Sequence, residues 1–313
     1  MTDEIRVLSG TAHKLLSQKI CDYMGVPLGE VSIGRFPDGE ISVKIEEDVR
    51  GRDVFVIQPT CYPQNDNLME LLLLIDSALR ASAERVTAVI PYYGYARQDR
   101  KDEGRVPISA KLVANVITTA GANRILTMDL HANQIQGFFD IPVDHLYSEP
   151  VLADHYRTLG IADLTVVAPD AGGAKDARSY ARRLGADMAI VDKERRNSLT
   201  VEAGTLIGTV KGRNVLIVDD MITSAGSMVA AADLLRTEGA KDIYAAVTHA
   251  VLCGEAVKRL KDSTIKRVTV TDTIPLSPEA DKLEKLEVLS ISQLLGEAIK
   301  RIHAHQSVSS LFS

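Results

Sequence analysis

Short runs of aliphatic and branched residues recur along the chain: VFVIQP (54–59), VTAVIP (86–91), RILTMD (124–129), LTVVAP (164–169), MAIV (188–191), NVLIVDD (214–220), IYAAVTH (243–249) and VTVTD (268–272). Apolar at successive positions, they predict strands buried on both faces, as in a parallel sheet. Between them the apolar period lengthens. Leu68, Leu71, Leu72, Ile75 and Leu79 follow helical spacing within 67–83, and 107–120 and 228–238 behave similarly. Strands alternating with helices predict an α/β protein whose parallel sheets are covered by helices.

Pro91 and Pro169 each end an apolar run and open a loop, and the stretches around them are alike: VTAVIPYYGYARQDR (86–100) beside LTVVAPDAGGAKDAR (164–178). Gly94, Ala96 and Arg100 match Gly172, Ala174 and Arg178 in register. With 313 residues available, this self-similarity predicts two α/β domains of related fold. The boundary is expected near Glu149–Pro150: a first domain over 1–149, a second over 150–294, and a tail over 295–313 packing back on the first.

At 45% apolar and 25% charged, the composition is that of an ordinary water-soluble globular protein. A formal charge of −6 argues against a general nucleic-acid binder. The run Leu71–Ile75 is too short to span a bilayer, and Met1–Arg6 lacks the pattern of a signal peptide, so neither membrane nor export is expected and the chain reads as cytoplasmic. Cys21, Cys61 and Cys253 are odd in number and lack CxxC spacing, which predicts buried thiols and no disulfide framework or zinc site.

Residues 215–227, VLIVDDMITSAGS, carry the most chemistry. Four apolar residues run into Asp219 and Asp220, and a turn of Thr223, Ser224, Ala225, Gly226 and Ser227 opens an Ala/Leu-rich helix. Such a turn offers unpaired N–H groups and the positive end of a helix dipole to a phosphate, with Gly226 allowing close backbone approach. The carboxylates at the strand end can hold the vicinal hydroxyls of a ribose, directly or through magnesium. An acid-capped strand before an ordinary helix would share the Asp-Asp pair, so other motifs must decide.

RFPDGEISV (35–43) is a hairpin turn by plain turn rules, in which Phe36 could stack a base while Asp38 and Glu40 accept from an exocyclic amine. ARQDRKDEGR (96–105) gathers Arg97, Arg100, Lys101 and Arg105; the ordinary reading is solvated surface, the functional one a polyphosphate loop. PDAGGAK (169–175) is a Gly-rich turn at a strand end, and His131 lies just past a strand terminus in MDLHANQIQGFF (128–139). No GxxxxGK[ST] is present, which excludes a Walker-type kinase. DKERRNS (192–198) is a charge run that could supply Lys193 and Arg195 to a transition state.

Taken in order and spacing, RFPDGE, YYGYARQDR, MDLHANQIQGFF, PDAGGAK, DKERR and VLIVDDMITSAGS closely resemble the ribose-phosphate pyrophosphokinase family, over essentially the whole chain to the SVSSLF tail at 307–312. The resemblance implies two α/β domains, each a parallel-sheet phosphoribosyltransferase-like (type I) fold. It also implies Mg²⁺ as cofactor, ATP and ribose 5-phosphate as substrates, and a homo-oligomer, commonly a hexamer. Asp38, Gly39 and Glu40 would reach the adenine of ATP from a neighbouring subunit, with Phe36 beside them, while Arg97 and Gln98 would hold the nucleotide in the main site. His131 and Asp170 would bind Mg²⁺. Lys193 matches the catalytic lysine, assisted by Arg195; Arg195, Asp219, Asp220 and Thr223, Ser224, Ala225, Gly226 and Ser227 match the ribose 5-phosphate ligands. Arg50 and Arg105, with Ser307 and Ser309 of the tail, suggest a second site for phosphate or ADP. One departure stands out: family members usually carry an acid where this chain has Thr223. A phosphoribosyltransferase, sharing the 215–227 motif, and a non-enzymatic regulatory homologue are the competing readings.

Overall fold

The computed structural model describes residues 4–192 and 204–311. The chain forms two compact units, one of Met1–Tyr147, Thr273–Pro275 and Ser290–Ser313, the other of Ser148–Asp272 and Leu276–Leu289.

The first unit begins with β1 (Ile5–Ser9), α1 (Lys14–Met24), the pair β2 (Val31–Arg35) and β3 (Ile41–Ile45), and β4 (Asp53–Ile57). It continues through α2 (Gln64–Arg80), β5 (Arg85–Ile90), α3 (Ser109–Thr119), β6 (Arg124–Met128) and β7 (Val143–Leu146). Its main sheet is parallel throughout, in the order β1-β4-β5-β6-β7, and β2 and β3 make a separate antiparallel hairpin. All five residues of β4 are buried, as expected of a strand covered on both faces. Leu71, Leu74 and Ile75 of α2 and Val113 and Ile117 of α3 pack into one apolar cluster; Leu16 and Ile20 of α1 lie in another. Gly25 ends α1 in the left-handed conformation, φ 71°, its N–H bonding back to the carbonyls of Cys21 and Asp22.

The second unit contains α4 (Glu149–Thr158), β8 (Leu164–Ala168), α5 (Ala174–Leu184), β9 (Asp187–Asp192), β10 (Thr205–Ile207) and β11 (Asn214–Ile222). Then come α6 (Gly226–Thr237), β12 (Ile243–Ala250), α7 (Ala256–Asp262), β13 (Arg267–Thr271) and β14 (Leu286–Leu289). The last long helix, α8 (Ser292–His303), belongs to the first unit, where Leu295, Ile299 and Ile302 join the α1 cluster and Val308 and Leu311 pack against it.

The seven-stranded sheet of the second unit runs β10-β9-β8-β11-β12-β13-β14, parallel except for β10. From β8 the chain winds outward to β9 and β10, then returns to lay β11 on the other side of β8 and proceeds the opposite way. The order therefore reverses between β8 and β11. A crevice at the carboxyl ends of the two strands flanking such a reversal is where open α/β sheets bind ligands.

Every apolar run read as a strand forms one, and 35–43 forms the expected hairpin. Two expectations need correction. Asp219 and Asp220 do not end β11, which runs two residues past 220, because pairing with β12 continues to Ile222 opposite Ala250. Cys21 and Cys61 are buried, but Cys253 is exposed: it sits in the loop between β12 and α7, flanked by Leu252 and Gly254 at positive φ.

Candidate functional site

Two loops of the second unit leave the carboxyl ends of β8 and β11, the strands that flank the reversal. After β8, Asp170 is exposed and its Oδ1 accepts from the Gly173 N–H at 3.2 Å, folding 170–173 into a tight turn before α5. After β11, residues 223–225 lead into α6, a helix of 12 residues with no side-chain cap and no acid in its first turn. Its first N–H groups thus meet no negative side chain of their own helix. The left-handed residue of this entry is Ala225, φ 61°. Gly226 contributes space: a Cβ there would meet only the Arg259 Nη1 at 3.5 Å and the Ser224 Oγ at 3.7 Å. Thr223 is half-buried, Ser224 and Ser227 exposed.

Beside this entry the carboxylates repel one another. Burial pushes the Asp219 carboxyl up to about 8, and Asp220 and then Asp170 add to the rise through like charge. The neutral form is therefore the one the folded, ligand-free chain favours. Because the folded value exceeds the ordinary 3.8, the associated stability is complete below that value and is lost as pH rises through about 8. Asp219→Asn, neutral at every pH, should match the wild type near pH 4. Above pH 8 it should be more stable by on the order of 2 kcal/mol, discounted for partial solvent screening. Thermal melts of both proteins without ligand across pH 4–9 check this; parallel curves would mean Asp219 is not repelled.

The sequence-derived nucleotide residues lie in the first unit. Phe36, 54% exposed, and Asp38, Gly39 and Glu40 form the tip of the β2–β3 hairpin, closed by the Phe36 N–H on the Glu40 carbonyl at 2.8 Å. Gly39 holds φ 96°, the value the turn demands. Arg97 and Gln98 sit in the loop after β5, where Gln98 takes the Ser109 hydroxyl on its side chain and the Ala110 N–H on its carbonyl. Gly94 is needed for packing, since a Cβ would come within 2.4 Å of the Thr60 carbonyl oxygen. His131 is exposed just past β6, ahead of a 3-10 turn over Asn133–Phe138. Among the described residues no hydrogen bond joins the hairpin tip to Arg97 or Gln98.

Arg50 and Arg105 are exposed, and Arg50 donates to the Ser82 hydroxyl at 3.2 Å. Ser307 accepts from Arg301 through its carbonyl, and Ser309 is exposed at the start of a short 3-10 turn. No described bond links Arg50 or Arg105 to this tail. Lys193 and Arg195 lie outside the described residues.

Among the described residues no helix is long and apolar enough to cross a membrane. No group of three His, Cys, Asp or Glu side chains among them is disposed to hold a metal by itself.

A family model described as the N-terminal domain of ribose phosphate pyrophosphokinase matches residues 5–121, and one described as a phosphoribosyl synthetase-associated domain matches 202–313. A ribose-phosphate pyrophosphokinase of Rhodopirellula baltica is 57% identical over 312 residues, covering 99% of this chain and 98% of that one. One from Caldanaerobacter subterraneus is 52% identical over 313 residues, covering 100% and 99%. The crystal structure of phosphoribosylpyrophosphate synthetase from Mycobacterium smegmatis matches with a TM-score of 0.90 at 40% identity, covering 96% of this chain and 99% of that chain. Fold and comparisons together define an α/β protein with two parallel-sheet domains of the type I phosphoribosyltransferase kind. More narrowly, the chain belongs to the ribose-phosphate pyrophosphokinase family. It is a ribose-phosphate diphosphokinase, making phosphoribosyl pyrophosphate from ATP and ribose 5-phosphate. The phosphoribosyltransferase and non-enzymatic readings fall away with that membership.

Proposed function

We propose that the second unit binds ribose 5-phosphate at the entry to α6 and that the first unit carries the nucleotide loops. The observation that carries this reading is the uncapped N-terminus of α6, at the reversal of strand order, beside Asp219 and Asp220. In this reading backbone N–H groups of 223–227, helped by the hydroxyls of Thr223, Ser224 and Ser227, take the 5-phosphate. Asp219 and Asp220 take the ribose hydroxyls. Arg97 and Gln98 orient ATP, and Phe36, Asp38, Gly39 and Glu40, exposed at a hairpin tip, suit the adenine of a neighbouring copy in a homo-oligomer, a hexamer by family likeness. Lys193 and Arg195 donate to the transferring group.

Magnesium fits the donor set. The ion is commonly held by one or two carboxylates together with substrate phosphates, which agrees with an Asp170–Asp219–Asp220 cluster whose repulsion a divalent cation relieves. Asp170 and His131 are the ligands that family likeness suggests. When bound, the ion neutralises charge on the triphosphate. The sugar's C1 hydroxyl oxygen attacks the β-phosphorus, the bond from that phosphorus to the α,β-bridging oxygen breaks, AMP departs and the hydroxyl proton passes to solvent. Positioning and charge neutralisation supply most of the acceleration. Exposed Arg50 and Arg105, with Ser307 and Ser309, are assigned to a separate phosphate or ADP site. Three dispersed cysteines without CxxC spacing suit a reducing, cytoplasmic setting.

Incubating the protein with ATP, Mg²⁺ and ribose 5-phosphate should give AMP in step with a sugar carrying a diphosphate at C1, read by phosphorus NMR. ADP with ribose 1,5-bisphosphate would place the attack at the γ-phosphorus and overturn the assignment.

A further inference from the structure

The carbonyls of three successive residues around the α6 entry are all taken by one segment of the second unit. Leu252 donates its N–H to the Ile222 carbonyl at 3.0 Å, and Cys253 donates to Thr223 at 3.0 Å. The third donor is a side chain: Arg259 Nη1, from α7, reaches the Ser224 carbonyl at 3.0 Å. In a planar trans peptide the C=O and the following N–H point in opposite directions. Drawing the carbonyls of 222, 223 and 224 toward 252–259 therefore turns the N–H groups of 223, 224 and 225 the other way. The Ser224–Ala225 peptide is the one most in need of restraint, because Ala225 holds φ 61°, a conformation an L residue with a Cβ avoids. Rotation of that peptide would relieve Ala225 and swing its N–H out of line.

We propose that Arg259 is a positioning residue for ribose 5-phosphate, locking the Ser224–Ala225 peptide in the orientation that presents the loop's N–H groups to the sugar phosphate. This rests on the reading of 223–227 as the phosphate cradle. A guanidinium suits this role because its planar fork holds a carbonyl in a fixed direction. Its other contact is loose, with Glu255 Oε2 3.8 Å from Nη2, and the side chain is 44% exposed, so removing it opens no cavity in the core.

Arg259→Ala should weaken ribose 5-phosphate binding about tenfold, the scale of one lost charge-assisted hydrogen bond partly replaced by water. ATP affinity should move less than about twofold and kcat less than about threefold at saturating sugar, since in this reading Arg259 acts only through the Ser224 carbonyl. Arg259→Lys, retaining charge but losing the fork, should recover part of the loss. The decisive variant adds Ala225→Gly to Arg259→Ala: glycine accepts positive φ without strain, so the double variant should regain at least about threefold in affinity. Calorimetric titration with ribose 5-phosphate, alongside melting temperatures, reads all of these; if Arg259→Ala fails to fold, the same rescue is sought in Arg259→Lys. Unchanged sugar affinity in Arg259→Ala, or no rescue by Ala225→Gly, overturns the proposal. Gly226→Asp, placing a charge in the loop itself, separates the two readings. If it abolishes sugar binding while Arg259→Ala does not, the cradle stands without Arg259; if neither variant affects binding, the cradle reading falls as well.

Discussion

Lys193→Ala should lower kcat by at least ~10²-fold, the scale of losing one preorganised donor to developing charge, while the KM values for ATP and ribose 5-phosphate change little. As the pyrophosphoryl group leaves AMP, negative charge builds on the bridging oxygen and on the oxygens around the β-phosphorus. An ammonium with three donors is suited to that charge and does little for ground-state binding. β9 ends at Asp192, at the end of the sheet from which the 169–175 and 223–227 loops also leave, and Lys193 is the next residue in sequence. Steady-state kinetics with both substrates varied would show the split. A kcat equal to the wild type would return DKERR to ordinary solvated surface, and a rise in KM alone would make Lys193 a binding group.

Much of this architecture was legible because parallel strands buried on both faces leave continuous apolar runs. VLIV at 215–218 and VFVI at 54–57 need no alternation to be recognised, and both are strands. What escaped reading has mixed character. Arg6 interrupts β1, whose burial is otherwise nearly complete; α1 carries lysines, serine, glutamine and aspartate among its apolar positions; β7 is only four residues long. The end of β11 was misplaced for a related reason: Asp219 and Asp220 look like a strand terminus, yet the ladder to β12 holds them in register to Ile222. Motif residues at the site were visible in sequence because phosphate loops demand small and hydroxyl-bearing residues in a short span. Arg259 was not visible. It acts on Ser224 from a different helix, and nothing in VKRL distinguishes a surface arginine from one that fixes a peptide plane.

Gly226→Asp should weaken ribose 5-phosphate binding by at least ~10²-fold while leaving the protein as stable as the wild type or more so. The two effects have opposite sign because the same helix end is involved in both. Gly226 is the first residue of α6, which has no acid in its first turn, so a carboxylate there complements the helix dipole by about 0.3–1 kcal/mol. With sugar phosphate bound, that carboxylate confronts another anion: two unit charges 4 Å apart at an effective dielectric near 20 repel by about 4 kcal/mol, and water screening leaves enough for the stated loss. Sterics are separable from charge. A Cβ at Gly226 finds its nearest atoms at 3.5 and 3.7 Å, ordinary contact distances, so Gly226→Ala should change sugar affinity by less than about threefold. Titration calorimetry with ribose 5-phosphate and separately with ATP, together with melting curves, measures each quantity. Equal losses in the Ala and Asp variants would show that space and not charge governs the loop; intact sugar binding in the Asp variant would mean that no anion sits at the start of α6.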